Sequence, residues 1–160
     1  MGGVAAVSVK VQTADFDVQA LQACLLAGSS AEGAVVAFTG YVRSANEQRE
    51  VHSLELEHYP GMTEACIVEI VEQAAVKWPL LAASVVHRVG ILSPGDPIVW
   101  VGVSSTHRDA AFSACEYIMD YLKTRAPFWK KELGPGGEHW VSARDEDNVR
   151  ASRWHDDGVP

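Results

Sequence analysis

The sequence predicts an α+β protein with a largely antiparallel sheet and about three helices. Three observations carry this expectation. Runs with strand character are interrupted by helical stripes instead of alternating with them regularly. Two of those runs are joined by Ser93-Pro94-Gly95-Asp96, a hairpin signal. Pro60-Gly61 and Pro127 then mark where one helix starts and another stops.

The elements follow in the order β-α-β-β-α-β-β-α-β. Residues 4–12 alternate enough to form a strand. Asp17 is placed to cap a short helix running to Ala27, with Gly28 as its stop. Ala34 to Val42 is an apolar, β-rich run. Val51 to Tyr59 alternates, with His52, Leu54, Leu56 and His58 on one face and Ser53, Glu55 and Glu57 on the other. Thr63 to Lys77 carries an apolar helical face through Ala65, Cys66, Val68, Ile70, Val71, Ala74 and Ala75. Ala83 to Leu92 and Ile98 to Ser105 read as the two hairpin strands. In the third helix, Thr106 is expected as N-cap with Asp109 three residues on. Ala111, Cys115, Ile118 and Leu122 form its apolar stripe, and Pro127 ends it near Arg125 or Ala126. A last strand is expected over His139 to Ala143, followed by a polar end that frays.

The 160 residues are 48% hydrophobic, which supports one folded domain over residues 1–154 with a polar tail over 155–160, and excludes intrinsic disorder. The longest uncharged stretch, Val18 to Ala31, is too short and too polar to span a membrane. The opening MGGVAAVSVK lacks the features of a secretory signal. Cys24, Cys66 and Cys115 are odd in number and far apart, which suits free, mostly buried thiols in a reducing cytoplasm. Cys115 lies in the helical stripe and reads as a core thiol.

The net charge of -8 argues against a protein that coats nucleic acid or anionic lipid. Yet four of the 13 basic residues, Lys123, Arg125, Lys130 and Lys131, fall in KTRAPFWKK without an acid among them. A local positive patch on an acidic body suits a specific anionic ligand. It equally suits a solvated helix end, where cations favour the dipole.

Three groups of residues carry candidate chemistry. His107 and Arg108 open the third helix, where free N–H groups already hold positive partial charge; cations there point to a bound anion or simply to solvent-facing side chains. Lys123 lies four residues after Met119, and Lys130 follows the Pro127 break, so the chain can bring the two amines together and depress their pKa values. A neutral lysine is a nucleophile or proton shuttle, and a charged one an anion ligand. The alternative is a basic surface loop anchored by Phe128 and Trp129. Arg43 closes a strand and opens a polar segment, a common place for a functional arginine. Metal binding is not expected: His52 and His58 share a face but stand six residues apart, roughly 20 Å at the rise of a strand. His87, inside a strand pattern, reads as a satisfied core residue.

Five ordered segments add a resemblance. GAVVAFTGYVR from Gly33, LEHYPGMTE at 56–64, HRVGILSPGD at 87–96, SSTHRDAAF at 104–112 and YIMDYLKTRAPFWKKE at 117–132 resemble the MoaE family, the large catalytic subunits of molybdopterin synthase. The similarity runs from about Gly33 to Trp154. It implies an α/β-hammerhead fold and a cytoplasmic homodimer that forms a heterotetramer with a small ubiquitin-like sulfur carrier, MoaD. The carrier's C-terminal thiocarboxylate would supply sulfur to cyclic pyranopterin monophosphate, giving the dithiolene of molybdopterin, with no cofactor or metal in the enzyme. By motif, Lys123 and Lys130 fall on the family's active-site lysines. Arg43, His107 and Arg108 fall on its pterin-phosphate pocket, with Tyr41, Val42, Lys131 and Glu132 adjoining. Phe38 and Met119 match pocket-lining positions, and Arg144 matches an arginine directed toward the neighbouring protomer's site. Tyr41 departs from the family, which has a lysine there. A non-catalytic module for a ubiquitin-like tail, and a nucleotide binder stacking bases on Trp129, are the competing classes.

Overall fold

The computed structural model describes residues 5–26, 30–47, 49–141 and 145–155. Its elements are β1 (Ala6–Gln12), α1 (Val18–Leu25), β2 (Ala34–Tyr41), β3 (Ala45–Asn46), β4 (Arg49–Glu50), β5 (Ser53–His58), α2 (Met62–Lys77), β6 (Leu80–Arg88), β7 (Gly90–Leu92), β8 (Pro97–Ser105), α3 (Arg108–Thr124), β9 (Phe128–Gly134), β10 (Gly137–Val141) and α4 (Asp145–Ser152). The architecture is α+β, as expected.

One sheet has the order β1-β6-β8-β2, a second has β10-β9-β5-β7, and β3 and β4 form a two-stranded ribbon. Among the described residues, every strand pairing is antiparallel except β1 with β6. On one face of the first sheet, Val85, Val99, Val101 and Val103 pack against Ile67, Ile70 and Val71 of α2 and against Ala114 and Ile118 of α3. The opposite face holds the fully buried Trp100 beside Leu25 of α1. Gly102 makes room for that indole: a Cβ there would stand 2.2 Å from the Trp100 ring. A smaller core of Val42, Leu54, Leu56, Val89 and Leu92 underlies the second sheet, and Phe128 and Ile98 pack against both cores.

Several local expectations hold. Asp17 caps α1, its carboxylate accepting from the N–H groups of Gln19 and Ala20. In α2 the side chain of Glu64 accepts from the Gly61 N–H at 2.6 Å. The Ser93–Asp96 turn closes with Asp96 accepting from the Ser93 N–H at 2.9 Å.

Others are corrected. The expected strand Ala83 to Leu92 is two strands, because Gly90 takes φ +92 and sends β7 into the second sheet. The N-cap of α3 is His107 and not Thr106; the His107 N–H instead reaches the Ser105 hydroxyl at 3.5 Å. Residues after Pro127, read as a loop, form β9. The polar end is a fourth helix, α4. It is held because the Trp154 indole N–H donates to Asp120 at 2.7 Å, Arg153 donates to the same carboxylate at 3.0 Å, and Trp154 packs edge-on against Trp78 and Tyr117. Of the three thiols, only Cys115 is buried; Cys66 is half-buried and Cys24 exposed. Ala27, Gly28, the end of the last expected strand at Ser142 and Ala143, and most of the 155–160 tail lie outside the described residues.

Candidate active site

The two sheets and α3 meet around a cavity of about 700 Å³. Its walls include Phe38, Tyr41, Val42 and Arg43 from the end of β2, Met119 and Lys123 from the last turns of α3, and Lys130 and Glu132 from β9. Residues far apart in sequence are therefore gathered by three identifiable local devices.

The first device fixes the end of β2. The Val42 N–H donates to the Asp96 carbonyl at 2.9 Å, and the Gly95 N–H donates back to the Val42 carbonyl at 2.8 Å. Buried Val42 is thus pinned to the Pro94-Gly95 turn, and Arg43 emerges from the pin into the cavity. The second device fixes the α3–β9 connection. Buried Thr63 donates through its hydroxyl to the Pro127 carbonyl at 3.1 Å and accepts from the Tyr59 N–H at 2.9 Å. That tie sets where β9 starts, and so where Lys130 falls. The third is strand alternation. Phe128, Lys130 and Glu132 sit opposite His58, Leu56 and Leu54 on the inward face of β5, while Trp129 and Lys131 face outward.

Lys123 and Lys130 come together, one of the two arrangements the sequence left open. Burial, then the charge of Lys123 and a direct contact between the two side chains, lower the Lys130 pKa to about 7, against a smaller opposing pull from Asp147. Lys130 therefore gives up its proton more readily than an ordinary lysine. Glu132 is buried beside it and accepts a hydrogen bond from the Asn46 side chain of the β3–β4 ribbon.

Two expected members stand elsewhere. His107 and Arg108 are exposed at the N-terminal end of α3 and do not line the cavity. Fifteen residues separate Arg108 from Lys123, about 22 Å along a helix. Lys131 is also outside the cavity. It pairs with Glu55 at 3.1 Å on the outer face and lies over the Trp140 ring, with its pKa raised by the Glu55 contact. Arg144 lies outside the described residues. Among the thiols, burial pushes Cys115 up to about 12, the state of an inert core residue.

Sequence reading missed Asn46, His87, Asp147 and Arg150 as cavity residues. The last two arrive on α4, whose only sequence signals were the capping-type acids at 145–147 and the aromatic anchor Trp154. His52 pairs with Glu50 and His58 with Glu64. Among the described residues, no three His, Cys, Asp or Glu side chains are grouped to hold a metal. No described helix is long and apolar enough to cross a membrane.

Fold and site together define a class: an α+β protein with a cavity that presents an arginine and a pair of lysines, one of them with a lowered pKa. The profile of the MoaE protein family matches residues 11–125. The molybdopterin synthase catalytic subunit of Pseudomonas aeruginosa is 51% identical over 149 residues, covering 93% of this chain and 99% of that one. The subunit of the same name from Vibrio cholerae is 55% identical over 146 residues, covering 91% and 97%. A solved structure of the molybdopterin biosynthesis MoaE protein from Burkholderia ambifaria superposes with a TM-score of 0.80 at 47% identity, covering 93% of this chain and 98% of the other. The chain belongs to the MoaE family.

Proposed function

We propose that this chain is the catalytic subunit of a molybdopterin synthase, a sulfurtransferase. It takes sulfur from the C-terminal thiocarboxylate of a small ubiquitin-like carrier and delivers it to cyclic pyranopterin monophosphate. The observation that carries the reading is the Lys123–Lys130 pair inside a cavity that also presents Arg43. Both reactants are anions. Cations fixed in place before they arrive offset the repulsion that would otherwise keep the reacting atoms apart.

In the transfer, the carrier's sulfur bonds to an electrophilic substrate carbon and displaces an oxygen substituent from it, which leaves with its bonding pair and takes up a proton, making a thioester. Addition at the acyl carbon then breaks the acyl–sulfur bond, leaving sulfur on the substrate and a carboxylate on the carrier once water has supplied the oxygen. Lys123 stands at the reacting atoms, exchanging a proton or accepting the acyl group. Lys130, with its pKa near neutrality, holds the carboxyl end and takes up a proton as the thioester is opened. Arg43 binds the substrate's anionic group, and Phe38, Met119, Tyr41 and Val42 shape the wall against the pterin. Glu132, tied to Asn46, orients the lysine side of the cavity.

His107 and Arg108 serve the phosphate from a second copy of the chain, because the length of α3 keeps them from reaching the cavity of their own protomer. Arg144 is assigned to the same neighbouring site. The assembly is then a homodimer carrying two carriers. A cytoplasmic setting accords with three free cysteines.

The test is incubation with thiocarboxylated carrier and pyranopterin, followed by detection of the dithiolene product. Product is expected with the parent chain and lost with Lys123→Ala and with Lys130→Ala. Near-normal rates in both variants would overturn the assignment.

A further inference from the structure

Among the described residues, four cations and two carboxylates line the cavity. The cations are Arg43, Lys123, Lys130 and Arg150, and the carboxylates are Glu132 and Asp147. His87 is also in the wall, but burial lowers its pKa to about 3, so it carries no charge near neutrality. The two acids are used differently. Glu132 turns to the β3–β4 ribbon, where its Oε1 accepts from the Asn46 side chain at 2.5 Å, and it is not among the groups that shift Lys130. Asp147 is the carboxylate whose charge is felt at Lys130. It acts there by charge, whereas Lys123 acts both by charge and by a hydrogen bond between the side chains.

The seating of α4 puts Asp147 in place. Asp147 and Arg150 are three residues apart, which sets them on one side of the helix, and both reach the cavity wall. Ala151, four residues after Asp147, shares that side and is buried in the core that α3 also enters. Beyond the helix, the Trp154 indole and Arg153 both donate to Asp120 of α3. Asp120 stands three residues before Lys123 on the same helix. The element that carries Lys123 therefore also holds the element that carries Asp147.

The chemistry gives such a counter-charge a task. Two amines in contact repel each other when both are protonated, and burial disfavours either charge. Left alone, the pair shifts toward two free amines, which hold no anion. A carboxylate hydrogen-bonded to the lysines would fix an ammonium but occupy the N–H bonds that an arriving thiocarboxylate needs. One that acts through its charge favours the ammonium and leaves those bonds open. We infer that Asp147 is a positioning residue of the sulfur-transfer site: α4 holds its carboxylate in the cavity wall as the counter-charge of the lysine pair, so that one amine stays cationic for the arriving anion. The consequence for transfer rests on the sulfur-transfer reading, and the effect on the lysines does not.

Three variants test this. Asp147→Asn and Asp147→Ser each remove the charge with residues that suit the start of a helix. Asp145→Asn removes a charge from the first residue of the same helix, which is exposed and outside the cavity wall. NMR titration of the Lys130 side chain in the full chain reads the direct effect. In both Asp147 variants the Lys130 midpoint is expected to move to lower pH by about half a unit, less than the one to three units of a contact pair. In the pH–rate profile of sulfur transfer, with thiocarboxylated carrier and pyranopterin, the limb near neutrality should move to lower pH by the same amount. Asp145→Asn should leave both where they are. Amide exchange over residues 145–152 separates loss of the charge from loss of the helix. A Lys130 midpoint that stays put in both Asp147 variants overturns the assignment. So does one that Asp145→Asn moves as far, or a shift seen only where exchange over α4 rises. If the parent chain itself transfers no sulfur, the proposed function fails, and the lysine titration still decides the role of Asp147.

Discussion

Lys130 and Lys131 are consecutive in sequence and stand on opposite faces of β9. Lys130 enters the cavity to meet Lys123, and Lys131 leaves it to pair with Glu55 at 3.1 Å. The alternation of a strand divides two chemically identical side chains between a reactive interior and an ordinary surface ion pair.

That division yields the first prediction. Lys130→Ala is expected to lower the rate of sulfur transfer by about a hundredfold or more, the scale of a lost proton-transfer group. Lys131→Ala should stay within about threefold, since Lys131 pairs with Glu55 on the outer face of β9, away from the cavity. Single-turnover rates of dithiolene formation compare the two. Equal losses would mean that the outer face also takes part.

Lys130 gives a pH prediction whose sign follows from the direction of its shift. Its folded pKa is about 7, below the 10.5 of an ordinary lysine. Between those values the unfolded chain keeps a proton that the folded chain has released. The contribution of this group to stability is therefore full above 10.5 and declines as pH falls toward 7. Lys130→Met should raise the melting temperature at pH 6.5, and the gain should shrink toward pH 10. Each kcal/mol recovered corresponds to about 2–4 °C for a chain of this size. A gain independent of pH would show that packing, and not the proton, is responsible.

Much of this was readable before the structure because it is local. Asp17, the Pro60-Gly61 entry to α2 and the Ser93–Asp96 turn depend on neighbours a few residues away, and each stands where residue chemistry puts it. The meeting of Lys123 and Lys130 was legible for the same reason, since a proline break lies between them. What escaped depends on distant partners. Phe128 to Gly134 forms a strand because β5, some seventy residues earlier, offers an edge; its run of lysines carries no apolar alternation to announce it. His87 looks like any core histidine until Phe128 is stacked on it. That His107 and Arg108 stand apart from Lys123 within one chain follows from the length of α3, which residue chemistry alone does not weigh.

The anchor of α4 gives a third prediction. Asp120 is almost fully buried and accepts from both Trp154 and Arg153. Trp154→Phe keeps an aromatic ring against Trp78 and Tyr117 but leaves Asp120 without the indole donor. A loss of about 1–3 kcal/mol is expected from denaturant unfolding. Hydrogen exchange should rise over residues 145–152, because the same anchor holds that helix beside the cavity. Unchanged exchange there would show that Ala151 alone, also buried, seats the helix.

The position of Arg108 supports a fourth prediction, on how sites are shared between copies. Arg108 and Lys123 belong to one helix and are held apart by its length, so one molecule cannot bring both to the same anion. Lys123→Ala and Arg108→Ala should each be nearly inactive when assayed alone. Mixed and allowed to exchange subunits, they form heterodimers in which one site of two receives Lys123 from one chain and Arg108 from the other. With random exchange half the dimers are mixed, so activity should recover to roughly a quarter of the parent value. No recovery, with exchange confirmed by mass spectrometry of the mixed dimers, would sink the shared site. Parent-like activity of Arg108→Ala assayed alone would place Arg108 outside the reaction centre altogether. It would then be a solvent-facing residue at a helix start, and Arg43 and the lysine pair would have to hold the phosphate within one protomer.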